Sequence, residues 1–132
     1  MTLNELMIVV LIVSVTAGLA IPTYVKTVEK MKAEEAWTTL KLLRAAEKVY
    51  YFDNNAVYTD LTVAPPGGLL VTEGYLQDPN ASADRAFDYS VVANATWFTA
   101  MARRRSGCNA NETFTLDQDG TEAGTWTFLC GP

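Results

Sequence analysis

The sequence predicts an α+β protein in which one long N-terminal α-helix packs on an antiparallel β-sheet of about four strands. Residues 6–21 are almost all apolar, and residues 26–52 contain neither glycine nor proline and repeat apolar residues at helical spacing. After residue 86, short segments alternate apolar and polar residues between turn-forming residues, which is typical of strands. The chain has 132 residues, enough for one small domain beside an apolar segment.

The first half of the predicted helix resembles a membrane span. Only Ser14, Thr16 and Gly18 interrupt the apolar run 6–21, which would be about 24 Å long as a helix. With its neighbours it is long enough to cross a bilayer. We therefore assign residues 1–25 to a hydrophobic transmembrane segment, which the family resemblance described below would also place in a filament core, and residues 26–132 to a globular head.

The second half of the helix, residues 26–52, is amphipathic, and Asp53 ends the pattern. One apolar stripe contains Ala33, Ala36, Leu40, Leu43 and Tyr50, and a second stripe beside it contains Leu42, Ala45, Val49 and Phe52. We expect both stripes to form one broad face that packs on the sheet.

The remainder of the head divides into a variable loop, residues 53–86, and a sheet region, residues 87–132. Clusters of proline, glycine, asparagine and aspartate indicate the irregular part. Strand patterns cover residues 87–94, 95–103, 112–117 and 125–130, and Asp119-Gly120 predicts a turn. Short links between these segments favour an antiparallel meander.

Composition excludes several function classes. A net charge of −5 disfavours nucleic acid as a partner, and Arg103, Arg104 and Arg105 are interpreted as a solvated strand end. With no histidine and two cysteines, a tetrahedral zinc site lacks its usual ligands. No paired carboxylates, phosphate loop or nucleophile triad occurs, so we expect no catalytic residue, no cofactor and no enzyme activity. Asp117 and Asp119 are weak calcium candidates, although a hairpin turn explains them better.

Glu5 lies at the start of the apolar run. A carboxylate in a lipid core costs about 2.5–3.5 kcal/mol, so Glu5 either reaches the interface or has a partner. Residues 1–10, MTLNELMIVV, resemble the N-terminus of mature type IV pilins and the related pseudopilins, and the resemblance is close over residues 1 to about 30. It implies that, during filament assembly, Glu5 contacts the N-terminal amine of a neighbouring subunit, which in this sequence is the amine of Met1. It also implies a basic leader, removed by a prepilin peptidase ahead of Met1.

The helix is interrupted by Gly18 and by Pro22, which costs about 3 kcal/mol in a helix interior. A simple kink is one interpretation of these two residues. The resemblance implies instead that the segment containing Ser14, Gly18 and Pro22 loses its helical structure in the filament.

Cys108 and Cys130 are interpreted as a disulfide, because the chain is expected to be exported. The bond would stabilise the head by about 3 kcal/mol in the chain-entropy model. Two free thiols in a cytoplasmic protein are the alternative, which the apolar segment disfavours. In the pilin family, a disulfide of this kind bounds the C-terminal region.

These observations predict the major structural subunit of a type IV pilus-like filament for adhesion, motility or DNA uptake. Its partners would be identical subunits in a helical filament, the assembly machinery and, before assembly, the inner membrane; the filament itself would lie at the cell surface. One alternative is a major pseudopilin of type II secretion, which a calcium site would favour. Another is a membrane-anchored binding module that never polymerises.

Overall fold

The computed structural model describes residues 2–107 and 110–124, and for residues 19–22 it describes the backbone only. The elements follow in the order helix α1 (Leu3–Asp53), helix α2 (Leu69–Thr72), and strands β1 (Phe87–Ala93), β2 (Phe98–Arg104), β3 (Thr113–Asp117) and β4 (Glu122–Ala123). The strands form one antiparallel sheet in chain order, and the second half of α1 packs on it. The predicted fold class is confirmed.

Helix α1 has 51 residues and is therefore about 75 Å long. It begins after Thr2, whose side chain accepts a hydrogen bond from a backbone N–H of the first turn. It ends at Asp53, where the N–H of Asn54 still donates to the carbonyl of Tyr50 at 2.9 Å. The helix runs through residue 25 without a break, so the division of the chain at that position stays a prediction.

The first apolar stripe of α1 forms the helical side of the core, as predicted: Ala33, Ala36, Leu40, Leu43 and Tyr50 are all buried. The prediction that the second stripe also packs on the sheet is wrong. Leu42, Val49 and Phe52 are 55%, 51% and 82% exposed. At about 100° per residue these positions lie roughly 120–180° around the helix from the buried stripe, so one sheet does not cover both. Ala46 and Glu47 are buried in their place.

The predicted strands match the structure with two differences. The second strand begins at Phe98 rather than 95, because the side-chain oxygen of Asn94 accepts hydrogen bonds from the N–H groups of Thr96 (2.8 Å) and Trp97 (2.9 Å) and forms a turn there. A two-residue strand, β4, was not predicted; the expected turn before it is present, where the N–H of Gly120 donates to the carbonyl of Asp117 at 2.9 Å. The predicted strand 125–130 lies outside the described residues.

Alternate residues of the sheet face α1 and complete the core. The buried members are Phe87, Tyr89, Val91, Phe98, Ala100, Ala102, Phe114 and Leu116. Trp37 of the helix packs on Phe114, with ring centroids 5.1 Å apart. This ring pair is one of the apolar contacts between α1 and the sheet.

The loop 53–86 was predicted to be irregular, but several hydrogen bonds connect it to the sheet. Leu61 and Val91 exchange backbone hydrogen bonds of 3.0 and 3.1 Å, and the Asn80 side chain bonds both backbone groups of Tyr89 at 2.8 and 2.9 Å. The short helix α2 lies in this loop and buries Leu70 completely. The loop therefore extends the core at the edge of β1.

Candidate assembly site

The apolar N-terminal part of α1, residues 3–25, extends away from the head, and we call it the stem. The large apolar side chains that the structure describes in the stem, which exclude those of residues 19–22, are exposed, from 46% for Val25 to 80% for Leu3. Within the described part of the chain, α1 is a helix long and apolar enough to cross a membrane, judged by length and composition. An apolar surface of this size is unstable in water and requires a membrane or other protein chains around it.

Glu5 caps the stem in the single chain. Its carboxylate oxygen Oε2 accepts a hydrogen bond from the backbone N–H of Thr2 at 2.8 Å, while the Thr2 hydroxyl accepts one from the N–H of Glu5 at 3.4 Å. This reciprocal pair is a capping box and satisfies N–H groups that the first turn leaves without partners. Met1 lies outside the described residues, so a contact between Glu5 and a neighbour's amine stays a prediction.

The segment 14–22 is helical in the single chain. The Ser14 hydroxyl donates to the carbonyl of Leu11 at 3.1 Å, so this polar group has a partner within the stem. A side chain built on Gly18 would meet no atom within 4 Å. Pro22 has no N–H to donate to the Gly18 carbonyl one turn earlier, which weakens the helix at this position. Unwinding in a filament concerns a different state and stays a prediction.

The other predicted site residues lie in the head. Cys108 and Cys130 are outside the described residues, and their disulfide stays a prediction. The Asp117 carboxylate accepts a hydrogen bond from the Thr99 hydroxyl at 2.6 Å. In residues 2–107 and 110–124, no three carboxylate or cysteine side chains lie together as a metal site would need. The expectation of no cofactor, with calcium as the weaker alternative, is untested.

An ion pair that was not predicted from the sequence joins the sheet to α1 just after the stem. Arg104 is 5% exposed, so its interpretation as a solvated residue is wrong, whereas Arg103 and Arg105 are exposed. Its guanidinium Nη2 contacts the Glu29 carboxylate oxygens at 2.8 and 3.1 Å. The alternation of side chains along β2 could have predicted the burial of Arg104, because Arg104 follows Ala100 and Ala102 on the inward face of the strand.

Charge around Glu29 stabilises its ionised form. Burial opposes ionisation, but the hydrogen bond from Lys32 at 2.8 Å and the charges of Lys32 and Arg104 together hold the pKa of Glu29 below its ordinary value. The Arg104 guanidinium also lies 5.3 Å from the centre of the Phe87 ring. The pair therefore fixes where the sheet meets the helix, just beyond the stem.

Glu47, at the other end of the head, is a second buried charge that was not predicted. Its side chain is fully buried, and Oε2 accepts a hydrogen bond from the N–H of Thr59 at 3.2 Å. Oε1 has no partner among the described residues. Burial, assisted by the charge of Asp60 and opposed by the Thr59 hydrogen bond, raises the pKa of Glu47 to about 7.

A helix-on-sheet head with an exposed apolar stem is an architecture compatible with anchoring in a membrane. No protein-family model and no solved structure matches the chain. The chain is 42% identical over 59 residues to the type IV major pilin protein PilA of Myxococcus xanthus (strain DK1622). That stretch covers 45% of this chain and 26% of the relative, so the chain spans about a quarter of the length of the protein it matches.

The match confirms that the chain resembles a type IV pilin, in agreement with its N-terminal residues and its fold. Because a pilin is a structural protein, the match also confirms the expectation that the chain is not an enzyme.

Proposed function

We propose that the chain is the major structural subunit of a type IV pilus-like filament and that it polymerises through its stem. The observation that carries this proposal is the exposure of the stem's described large apolar side chains, 46–80%, in a chain whose head is well packed. Burying a large apolar side chain contributes about 1.5–3 kcal/mol. A bundle of stems would therefore gain a large free energy for each subunit added.

Before assembly the same surface would lie in the lipid of the inner membrane, and in the filament it would face other stems. The heads would then lie outside, at the cell surface. Identical subunits, a prepilin peptidase and the assembly machinery are the partners that this scheme requires. The similarity to a major pilin and the length of the apolar segment support it.

Glu5 would supply the register between subunits. In the single chain the carboxylate already accepts the Thr2 N–H through Oε2, and its negative charge is not balanced within the described residues. A neighbour's N-terminal amine would bring the compensating positive charge. In an apolar bundle, a charge without its partner costs several kcal/mol, so a subunit placed out of register would be rejected.

Substitution of Glu5 tests the proposal, because two variants separate capping from charge pairing. Glu5→Gln keeps an acceptor for the Thr2 N–H and therefore keeps the capping box, but it removes the charge. Glu5→Ala removes both. We expect both variants to abolish or sharply reduce filaments in electron micrographs of sheared surface material, while the membrane pool of subunit persists.

Thr2→Ala is the matched control. It removes the side-chain cap, at a cost of about 1 kcal/mol, and leaves the carboxylate in place. We expect filaments to persist in this variant. Filaments at normal yield from Glu5→Gln would show that the charge has no role in assembly and would contradict the proposed register.

A further inference from the structure

Basic side chains gather at the end of the head that adjoins the stem. The contact of Arg104 with Glu29 places the end of β2 about one helical turn, or roughly 6 Å, beyond Val25. The exposed or half-buried basic residues at this level, which we call the basic collar, are Lys26, Lys30, Lys32, Arg85, Arg103 and Arg105.

The carboxylates within the collar are already neutralised for the most part. Arg104 and Lys32 both contact Glu29. Asp88 lies 2.7 Å from Arg85 and 3.4 Å from Arg105, its Oδ1 facing a guanidinium nitrogen of each. Two further carboxylates, Asp84 and Glu112, also lie here, against seven basic side chains when Arg104 is included. The collar therefore keeps a net positive charge.

The excess of negative charge lies at the opposite end of the head. Asp53 ends α1, Asp60 bonds the N–H of Ala93 at the end of β1, and Asp119 lies in the turn after β3. Among the described residues, basic side chains therefore predominate at the end of the head that adjoins the stem, although the net charge of the chain is −5. Charges that served only to keep the head soluble would have no reason to separate by sign in this way.

We propose that the basic collar docks the head on the negatively charged lipid headgroups of the membrane that the stem spans. The headgroup region is about 5–8 Å thick on each side of the hydrocarbon core, which is the distance at which the collar follows the stem. Lysine and arginine side chains reach that layer while their aliphatic parts stay near the lipid. Each basic residue close to an anionic surface strengthens the attraction by about fivefold.

The proposal rests on the membrane stage of the proposed function and not on filament formation. Its consequence is that docking holds the head in one orientation on the bilayer before the subunit enters a filament. The acidic end of a second copy of the chain is the alternative partner for the basic collar. Lipid is favoured because the collar begins at Lys26, directly after the stem, where headgroups meet the chain first.

The test measures which lipids surround the full chain in a bilayer. The chain is reconstituted in phosphatidylcholine vesicles that contain a trace of spin-labelled phosphatidylglycerol or spin-labelled phosphatidylcholine, and electron paramagnetic resonance gives the fraction of each label at the protein. We expect the anionic lipid to be enriched, and 0.5 M salt to remove most of the enrichment, because the Debye length then falls to about 4 Å. Alkaline extraction establishes separately that the chain is inserted.

Matched variants locate the effect. Lys26→Gln with Lys30→Gln removes two collar charges, and Lys41→Gln with Lys48→Gln removes two charges further along the same helix. The collar variant should lower the enrichment several-fold, with about fivefold per lysine as the upper limit. The control variant should leave it unchanged.

Three results would overturn the proposal. The first is equal association of both lipids with the wild-type chain, and the second is an equal loss in the control variant, which would indicate net charge alone. The third is a collar variant that keeps its lipid preference but no longer forms filaments, which would assign these charges to a neighbouring subunit. A chain that alkali extracts would contradict the membrane stage itself, whatever the filament assay shows.

Discussion

Replacement of Glu47 by glutamine should remove a major source of pH dependence in the stability of the head. The carboxyl is fully buried, Oε2 accepts the Thr59 N–H at 3.2 Å, and burial raises the pKa of Glu47 to about 7, against 4.5 when it is exposed to water. Between these two values the folded chain holds a proton that the unfolded chain has released. The free energy of unfolding therefore falls as pH rises from about 4.5 to about 7 and changes no further above that.

The displacement of the pKa corresponds to about 3 kcal/mol of stability that is present at pH 4.5 and lost at pH 8. Glutamine is neutral throughout, so Glu47→Gln does not undergo this loss. Its amide places a donor where Oε1 has no described partner, as the O–H of the protonated wild-type carboxyl also does below pH 7. The variant should have a stability similar to that of the wild type at pH 4.5 and should gain about 3 kcal/mol on the wild type by pH 8.

Thermal unfolding of the full chain in a non-ionic detergent, followed by near-ultraviolet circular dichroism from pH 4.5 to 8, measures this difference. For a head of about 100 residues, 3 kcal/mol corresponds to a relative shift in Tm of more than about 10 °C. Glu34→Gln, which removes an exposed carboxylate from the same helix, is the matched control and should parallel the wild type. A Tm difference between Glu47→Gln and the wild type that is constant with pH would refute the reasoning.

Three further predictions concern the junction, the disulfide and the stem. Glu29→Gln removes the carboxylate that contacts the buried Arg104 and should lower the free energy of unfolding by up to about 3–5 kcal/mol. Lys41→Gln, which breaks an exposed pair with Glu122 at 3.3 Å, should cost at most about 1 kcal/mol, and equal losses in denaturant unfolding would contradict this. Mass spectrometry of the unreduced protein should find Cys108 bonded to Cys130, and two thiols open to alkylation would show that the predicted bond is absent. Gly18→Ala, for which the structure leaves open space, stabilises the helix by about 1 kcal/mol and should lower filament yield if this segment unwinds on assembly; an unchanged yield argues against unwinding.

Periodicity predicted the architecture because the strongest patterns coincide with the elements that make the core. Ala36, Leu40 and Leu43 repeat at helical spacing and are completely buried, and Phe114 and Leu116 alternate as a strand requires. Periodicity did not predict which of two apolar stripes would face the sheet. Both satisfy the same spacing, and the choice depends on the size of the sheet, which covers only one side of the helix.

The two buried charges were missed, although spacing places each of them on the inward face of its element. Glu47 lies on the buried helix face with Leu43 and Tyr50, and the burial of a carboxylate there was not predicted because the hydrogen bond from the Thr59 N–H comes from the loop beyond the helix. Arg104 is one of three consecutive arginines, and it differs from the other two only because β2 turns it towards Glu29, 75 positions earlier in the chain. Contacts of this kind depend on tertiary structure. Glu5, by contrast, was identified from its position at the start of the apolar run, and the resemblance to type IV pilins supplied its expected partner.

The central claim, that stems bundle in the core of a filament with Glu5 in register, is tested most directly by an electron cryomicroscopy map of filaments of this chain. The map is expected to show stems inside and heads outside, the Glu5 carboxylate within hydrogen-bond distance of a neighbour's N-terminal amine, and a break in helical density between Ser14 and Pro22. A filament held together by heads alone, with Glu5 facing solvent, would contradict the account.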